Sequence, residues 1–261
     1  MKNHYPIVAG LLFFITGIIA LKAQSPFNTN EKDNTLYVYS QESSHYKAAD
    51  SEKDNILFHN STGTVKDVDG NIYSTLKIVS QTWMVENLKV THYRNGDEIP
   101  NIRDTTAWGR LTTGAWCWYN NNDSNDSVYG KMYNWFAVSD SRIIAPKGWH
   151  VPADDEWSTL ISFLGKEDVA GGKMKETGTA HWNSPNTGAT NESGFTAIPG
   201  GYRYTDNGSF RQMGNDADWW STTEVDATYA WFRNIYYNFP VSGRYYYNKQ
   251  NGFSVRCVKD Q

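Results

Sequence analysis

Two aspartates and two tryptophans stand together late in the chain, in a pattern that could bind a polar ligand. Asp216 and Asp218 flank one alanine, and Trp219 and Trp220 follow directly. Carboxylates accept directional hydrogen bonds, and indole rings offer broad apolar faces with a polar edge. We therefore predict that these four residues bind a ligand, with Trp182 as a further aromatic contact.

Aromatic residues are abundant, with 11 tryptophans and 17 tyrosines in the chain. Several of them are separated by Asn, Asp, Gly and Ser, a pattern suited to contacts with sugar rings or with proteins: Trp116, Trp118, Tyr119, Trp182, Trp219, Trp220 and Trp231. The alternative is that an irregular domain fills its core with large rings. We prefer that alternative for the tryptophans of regular segments, which are Trp83, Trp135, Trp149 and Trp157. Both interpretations stay open for Trp182, Trp219 and Trp220.

The acidic residues raise the alternative of an enzyme. A glycosidase needs two carboxylates at a defined separation across a cleft. The cluster Asp154, Asp155 and Glu156 is explained by the start of a helix, where the dipole favours negative charge. His150 and His181 have no partner at ligand spacing, which favours structural roles, and no Gly-x-Ser-x-Gly motif occurs. Two converging acids of raised pKa in a cleft would favour the enzyme, and an exposed aromatic platform without them would favour binding.

No metal or other cofactor is predicted. Asp67, Asp69 and Asn71 have the spacing that begins a calcium-binding loop, but its twelfth position is Ile78 instead of a bidentate glutamate. Asp69-Gly70 between two alternating runs indicates a hairpin turn, because glycine supplies the positive φ that the turn needs. A structural calcium ion elsewhere has no support in the sequence.

The two cysteines, Cys117 and Cys257, lie 140 positions apart. In an oxidising compartment they could form a disulfide, which the chain-entropy model makes worth on the order of 4–5 kcal/mol. Two isolated buried thiols are the alternative. Two lone cysteines do not make a zinc site, which needs four ligands at close spacing.

The N-terminus predicts export from the cytoplasm. Lys2 and His4 precede an apolar run of 15 residues, Ile7 to Leu21, and Ala23 follows at a plausible cleavage site. The run is short for a membrane span, which needs about 20 residues. We expect a signal peptide over residues 1–23, a secreted or cell-surface protein, and no membrane span after cleavage.

The charge balance argues against nucleic acid as a partner. Removal of residues 1–23 takes away Lys2 and Lys22 and leaves 22 basic and 28 acidic residues, a net charge of −6. Binding to a phosphate backbone relies on clustered Lys and Arg. A glycan or polysaccharide, or a protein of the cell envelope, is the expected partner.

Hydrophobic patterning predicts a polar spacer over residues 24–63 and one α+β domain over residues 64–261. Apolar spacing and capping residues predict helices at 130–138 and 152–164, and a weaker one at 168–176. Strands are expected at the following segments: Leu76–Met84, Ser193–Ile198, Trp219–Thr222, Ala230–Asn238 and Phe253–Val258. Two main helices, short antiparallel strands and long irregular loops describe this fold class.

Several segments, spread over roughly residues 64–258, resemble segments of known domain families and occur in the same order along the chain. The segment from Gly148 to Trp157 looks like the "LPTEAEWE" segment of the formylglycine-generating, sulfatase-modifying family, and Gly252–Val258 looks like its closing strand. The fuller match is to the Fibrobacter succinogenes major paralogous domain, carried by the following segments: Asp69–Tyr73, Gln81–Leu88, Tyr129–Trp135, Pro146–Pro152, Gly194–Arg203 and Gly252–Cys257.

This resemblance implies a secreted or envelope-associated bacterial protein with a C-type-lectin-like architecture, and it implies no established activity. The copper site of the sulfatase-modifying enzymes needs two neighbouring cysteines, which this chain lacks, so oxidase activity is expected to be absent. Ile144 stands where many members carry a cysteine, which leaves Cys117 as the partner for Cys257. Calcium-dependent lectins use acidic-Pro-Asn or Gln-Pro-Asp and Trp-Asn-Asp motifs, whereas Ser184 precedes Pro185 here.

The sequence thus favours a non-catalytic binding or interaction module. Its predicted ligand-binding residues are Trp182, Trp219, Trp220, Asp216 and Asp218. An enzyme with an unrecognised carboxylate site in the same fold is the alternative.

Overall fold

Residues 61–261 are described by the computed structural model, with side chains from Gly63 onward. The predicted signal peptide and all but the last residues of the predicted spacer lie outside them. No helix within the described residues has the length and apolar content that a membrane crossing requires.

A five-stranded sheet brings the beginning and the end of the described chain together. Its strands lie in the order β1, β2, β3, β12, β6, and each neighbouring pair is antiparallel: β1 Ser61–Lys66, β2 Ile72–Ile78, β3 Gln81–Met84, β6 Trp149–His150 and β12 Val258–Lys259. The turn predicted at Asp69-Gly70 joins β1 to β2, and the Asp67 carboxylate accepts hydrogen bonds from Asn71 and from the Tyr73 hydroxyl. The calcium-like spacing therefore belongs to a hairpin.

The strand predicted over Leu76–Met84 is two strands instead. Val79 has a φ of 56° between β2 and β3, so the chain reverses there and forms a second hairpin. Positive φ is strained for a β-branched residue, so nothing in the sequence signals this turn.

A second sheet has three long antiparallel strands in the order β11, β10, β9: β9 Asp216–Glu224, β10 Tyr229–Tyr236 and β11 Ser242–Asn248. The predicted strands at 219–222 and 230–238 fall in β9 and β10, and β11 had no prediction. Alternate residues of a strand face opposite sides, so each strand contributes to two different environments. This sheet holds most of the residues discussed below.

Two helices pack on one face of this sheet: α4 Asp154–Phe163 and α5 Glu167–Met174. At the start of α4, the Glu156 carboxylate accepts a hydrogen bond from the Ala153 N–H at 2.9 Å, as the acidic run predicts. The buried side of α4 joins the main core cluster, in which Trp157, Trp83 and Phe195 are in aromatic contact. Both helices match the predicted segments within two residues at each end.

The remaining elements are short and separated by long loops. They are α1 Thr105–Trp108, α2 Asp126–Tyr129, α3 Trp135–Val138, β4 Trp116–Cys117, β5 Met132–Tyr133, β7 Tyr202–Arg203 and β8 Phe210–Arg211. Helix α3 is four residues long, so the helix predicted over 130–138 is wrong in its first half. Met132 pairs with Cys117 there as part of the β4–β5 ladder.

Buried arginines fasten these loops to one another. The Arg203 guanidinium donates to the backbone carbonyls of Ile102, Arg103 and Asp104 and lies over the Trp108 ring. Arg256 donates to the Asn87 side chain and to the Phe195 carbonyl. Each cation satisfies carbonyl groups that irregular backbone would otherwise leave buried and unpaired.

His150 gives the fold a measurable pH dependence. Hydrogen bonding to Glu156, and further to Asp260, raises the pKa of His150 to about 8 although burial opposes the charge. Because the folded pKa exceeds the unfolded value near 6.5, the stabilisation is complete below about pH 6.5 and is lost as the pH rises through about 8. The imidazole is part-exposed, so solvent screening keeps the effect below about 1 kcal/mol.

We expect His150→Gln to remove this pH-dependent part of the stability. The difference in free energy of unfolding between the two proteins should shrink from pH 6 to pH 9, measured by urea denaturation. A difference independent of pH would contradict the assignment.

Candidate functional site

The three tryptophans predicted to contact a ligand are all buried. Trp182, Trp219 and Trp220 are 1%, 1% and 0% exposed. Each indole N–H is already bonded inside the protein, to the Ala197 carbonyl, the Asn87 side chain and the Tyr133 carbonyl respectively. The structure therefore corrects the prediction, and these rings are core residues.

Adjacent positions in one strand explain why Trp219 and Trp220 cannot form a shared platform. Trp219 faces the core beneath α4, where it contacts Trp157 and Phe195. Trp220 faces the opposite side of the sheet and packs on Phe253 with ring centroids 4.4 Å apart.

Asp216 and Asp218, by contrast, are brought together. They lie two residues apart on β9 and share the face that also carries Trp220. Asn234 of β10 lies opposite Asp218, and its side-chain amide donates to Asp216 Oδ1 at 3.0 Å and to Asp218 Oδ1 at 2.8 Å. We call these three residues the carboxyl pair and its amide clamp.

Burial dominates the electrostatics of this pair. Removal from water raises the pKa of Asp216 well above its usual range, and the neighbouring charge of Asp218 raises it further. Burial likewise raises the pKa of Asp218 to about 8, against the opposing hydrogen bond from Asn234. In each carboxyl group the Oδ2 atom is buried and has no hydrogen-bond partner among the described residues.

Aromatic side chains close the space around the carboxyl pair. Tyr202 is buried close by, and burial and then the charge of Asp218 raise the pKa of its hydroxyl. The Tyr245 ring lies across Gly243, where an added Cβ would stand 2.3 Å from it, and Gly243 is the register partner of Asn234. The acids are 0% and 1% exposed, so no substrate reaches them in this arrangement.

An exposed set of rings occurs on the other face of the same sheet. Tyr229 and Trp231 alternate along β10, and Tyr246 of β11 lies opposite Trp231. Ring centroids of Tyr246 are 5.5 Å from Trp231 and 5.7 Å from Tyr229, and the two tyrosines are 47% and 38% exposed. With Arg244, whose guanidinium lies 3.5 Å from the centre of the Trp231 ring, they form what we call the aromatic strip.

The strip is anchored to helix α4 through a buried ion cluster. Asp154 accepts from Arg233 Nη2 at 3.0 Å and from Arg244 Nε at 2.8 Å, and the Ser158 hydroxyl accepts from Arg233 at 2.7 Å. Arg233 is enclosed, whereas the Arg244 side chain is 37% exposed. Asp154 therefore sets the position of Arg244, the cation of the aromatic strip.

Sequence reasoning missed Asn234, Tyr229, Tyr246 and Arg244, and it named Trp231 only as one of seven candidates. The signal was the alternation of the predicted strand over 230–238, which places Trp231 and its second neighbours on one face. Their partners on β11 needed the register of a strand that was not predicted.

Two histidines singled out in the sequence each lie beside carboxylates, which agrees with the structural roles predicted for them. His150 lies within hydrogen-bonding distance of Glu156 and Asp260, and His181 lies 2.7 Å from Glu176. Across residues 61–261 no group of three or more His, Cys, Asp or Glu side chains converges on one point.

Both cysteines are buried free thiols, so the structure supports that alternative over the disulfide. Cys117 packs with Trp108, Ala115 and Met132. Burial raises the pKa of its thiol to about 12, and burial also raises the pKa of Cys257. Since the thiolate is the reactive form, both should be inert in the folded protein.

Titration with a thiol reagent tests this arrangement. We expect no reaction within minutes in native buffer and two reactive thiols per chain after unfolding in denaturant without reductant. The absence of thiols after unfolding would restore the disulfide between Cys117 and Cys257.

One known protein family matches most of the described domain. A family model described as the Fibrobacter succinogenes major domain matches residues 76–259. This range includes the carboxyl pair, its amide clamp and the whole aromatic strip. No curated protein and no solved structure matches the chain.

Proposed function

The chain belongs to the Fibrobacter succinogenes major domain family, and we propose that it is a non-catalytic binding module that engages its ligand through the aromatic strip. The observation that carries this proposal is the exposure of Tyr229 and Tyr246 beside Trp231, while the three rings predicted to bind a ligand, Trp182, Trp219 and Trp220, are buried. Large rings are costly to leave in water, so a cluster at the surface favours an interaction site.

A glycan or polysaccharide is the ligand that the strip favours. Indole and phenol rings present apolar faces to the C–H side of a sugar and polar edges to its hydroxyls. Arg244 and Asn248 lie on the same face and add hydrogen-bond donors.

A protein of the cell envelope is the second candidate. β11 lies at the edge of its sheet, with β10 as its neighbour on one side. An edge strand offers unpaired backbone groups that an extended segment of another chain can join.

The enzyme alternative rests on Asp216 and Asp218, which do converge and do have raised pKa values. Both are enclosed, however, and a hydrolase must bring its substrate between two accessible carboxylates. Two surface pockets of the described domain, beside Arg94 and beside Arg110, include neither acid. A role without catalysis therefore accounts better for the geometry.

We propose an extracytoplasmic location and a C-type-lectin-like fold as well. The first is supported by the N-terminal sequence, and a mature chain beginning at Gln24, by mass spectrometry of the native protein, would test it. The second is supported by the segments around Trp157 and Cys257, and an experimental structure without that topology would contradict it.

A polysaccharide panel tests the proposed function. Residues 24–261 would be run through native gels containing neutral, acidic and amino polysaccharides, with and without calcium. Retardation by one class of polysaccharide is the expected result. No retardation by any of them would overturn the glycan proposal, and capture from envelope extracts would then test the protein partner.

A further inference from the structure

The carboxyl pair has a composition that ordinary core packing does not explain. Asp216 and Asp218 lie on one face of β9, enclosed, and none of the ion pairs of residues 61–261 includes either acid. Two buried negative charges without a partner would destabilise the domain strongly. The pair is therefore neutralised either by bound protons, as the raised pKa values allow, or by a bound cation.

The hydrogen bonds divide each carboxyl group into a held oxygen and a free oxygen. Asn234 donates to Oδ1 of both residues, and both Oδ2 atoms are left without a partner. Carboxylates that bind metal ions are held in this manner, because a hydrogen bond to one oxygen orients the other toward the ion.

We propose that Asp216 and Asp218 bind a hard divalent cation through their free Oδ2 atoms, with Asn234 as the residue that orients them. Carboxylate and water oxygens are ligands that Ca²⁺ and Mg²⁺ take. The ion has a structural role, since the site is enclosed. It would tie β9 to β10 on the face opposite the aromatic strip.

Thermal unfolding of the purified chain tests this inference. After dialysis against a chelator, Ca²⁺ or Mg²⁺ at about 100 times its dissociation constant should raise the Tm by about 5 °C or more. Asp218→Asn and Asp216→Asn should abolish that shift, whereas Asp155→Asn, which changes an exposed acid of α4, should retain it.

Bound metal can also be measured directly on the unchanged chain, which tests the proposal even if the Asp variants do not fold. Equilibrium dialysis of the unchanged chain should find one Ca²⁺ or Mg²⁺ per molecule. The proposal is overturned if neither ion binds nor shifts the Tm. It is also overturned if the Asp216 and Asp218 variants keep the metal-dependent Tm shift. A third contradicting result is a higher Tm of Asp218→Asn than of the unchanged chain both in chelator and with metal, which would identify a neutral acid pair.

Discussion

Trp219→Ala is expected to lower the free energy of unfolding by about 3–5 kcal/mol, the range for deleting a large buried ring. Trp219 is 1% exposed, contacts Trp157 and Phe195, and donates its indole N–H to Asn87 Oδ1 at 2.9 Å. The truncation leaves a cavity in the main core cluster and removes one partner of an amide that also binds Arg256. Urea denaturation followed by circular dichroism would measure the loss.

Trp231→Ala is the matched control, because Trp231 lies on the neighbouring strand and is only part-buried. We expect it to cost about 1–2 kcal/mol, through the lost contacts with Tyr246 and Arg244. Equal effects of the two substitutions would contradict the assignment of Trp219 to the core and of Trp231 to its edge.

Asp154→Ala is expected to cost about 3–5 kcal/mol, since it removes one partner from a buried ion cluster. Arg233, whose side chain is 2% exposed, would lose its closest carboxylate. Glu167 lies 3.9 Å from Arg233 Nη1 and compensates only weakly. Arg244 would lose its anchor too, so ligand binding by the strip should weaken together with stability.

Asp155→Ala controls for the general effect of removing an acid from the first turn of α4, because Asp155 is its exposed neighbour. It should cost about 1 kcal/mol or less through the helix dipole alone. An Asp154 substitution as mild as that of Asp155 would show that the cluster contributes little.

The sequence contained enough information to exclude the Trp219-Trp220 platform. Both residues fell in a predicted strand, and neighbouring residues of a strand face opposite sides. The same rule places Asp216 with Asp218, and Tyr229 with Trp231, on shared faces, but only because β9 and β10 begin earlier than the predicted strands. Residues two positions apart in a strand share a face and can form one site, whereas adjacent residues cannot.

Pairing across strands could not be derived in the same way. Asn234 lies opposite Asp218 only because β9 and β10 pair in one register, and Tyr246 meets Trp231 through β11. Register depends on the turn and on both faces of the sheet, so a single strand pattern does not fix it. The amide clamp and the β11 half of the aromatic strip therefore could not be predicted from the sequence.

Helix α4 was predictable because its acidic first turn and the spacing of Trp157, Leu160 and Ile161 are local signals. Helix α5 lacks a side-chain cap and an apolar stripe, and its prediction was correspondingly weaker. The segment 130–138 misled because Met132, Trp135 and Phe136 have helical spacing, yet Met132 and Tyr133 pair with β4. Here tertiary contacts overrode local preference.

Retardation of two single-ring variants across the polysaccharide panel tests most directly whether the aromatic strip is the binding surface. Trp231→Ala removes the central ring of the strip, and Phe239→Ala removes a ring that is 42% exposed beyond the end of β10. We expect the dissociation constant of the retarding polysaccharide to rise at least tenfold for Trp231→Ala, as for a central aromatic contact, and less than threefold for Phe239→Ala. Unchanged affinity of Trp231→Ala, with the fold intact, would contradict the account.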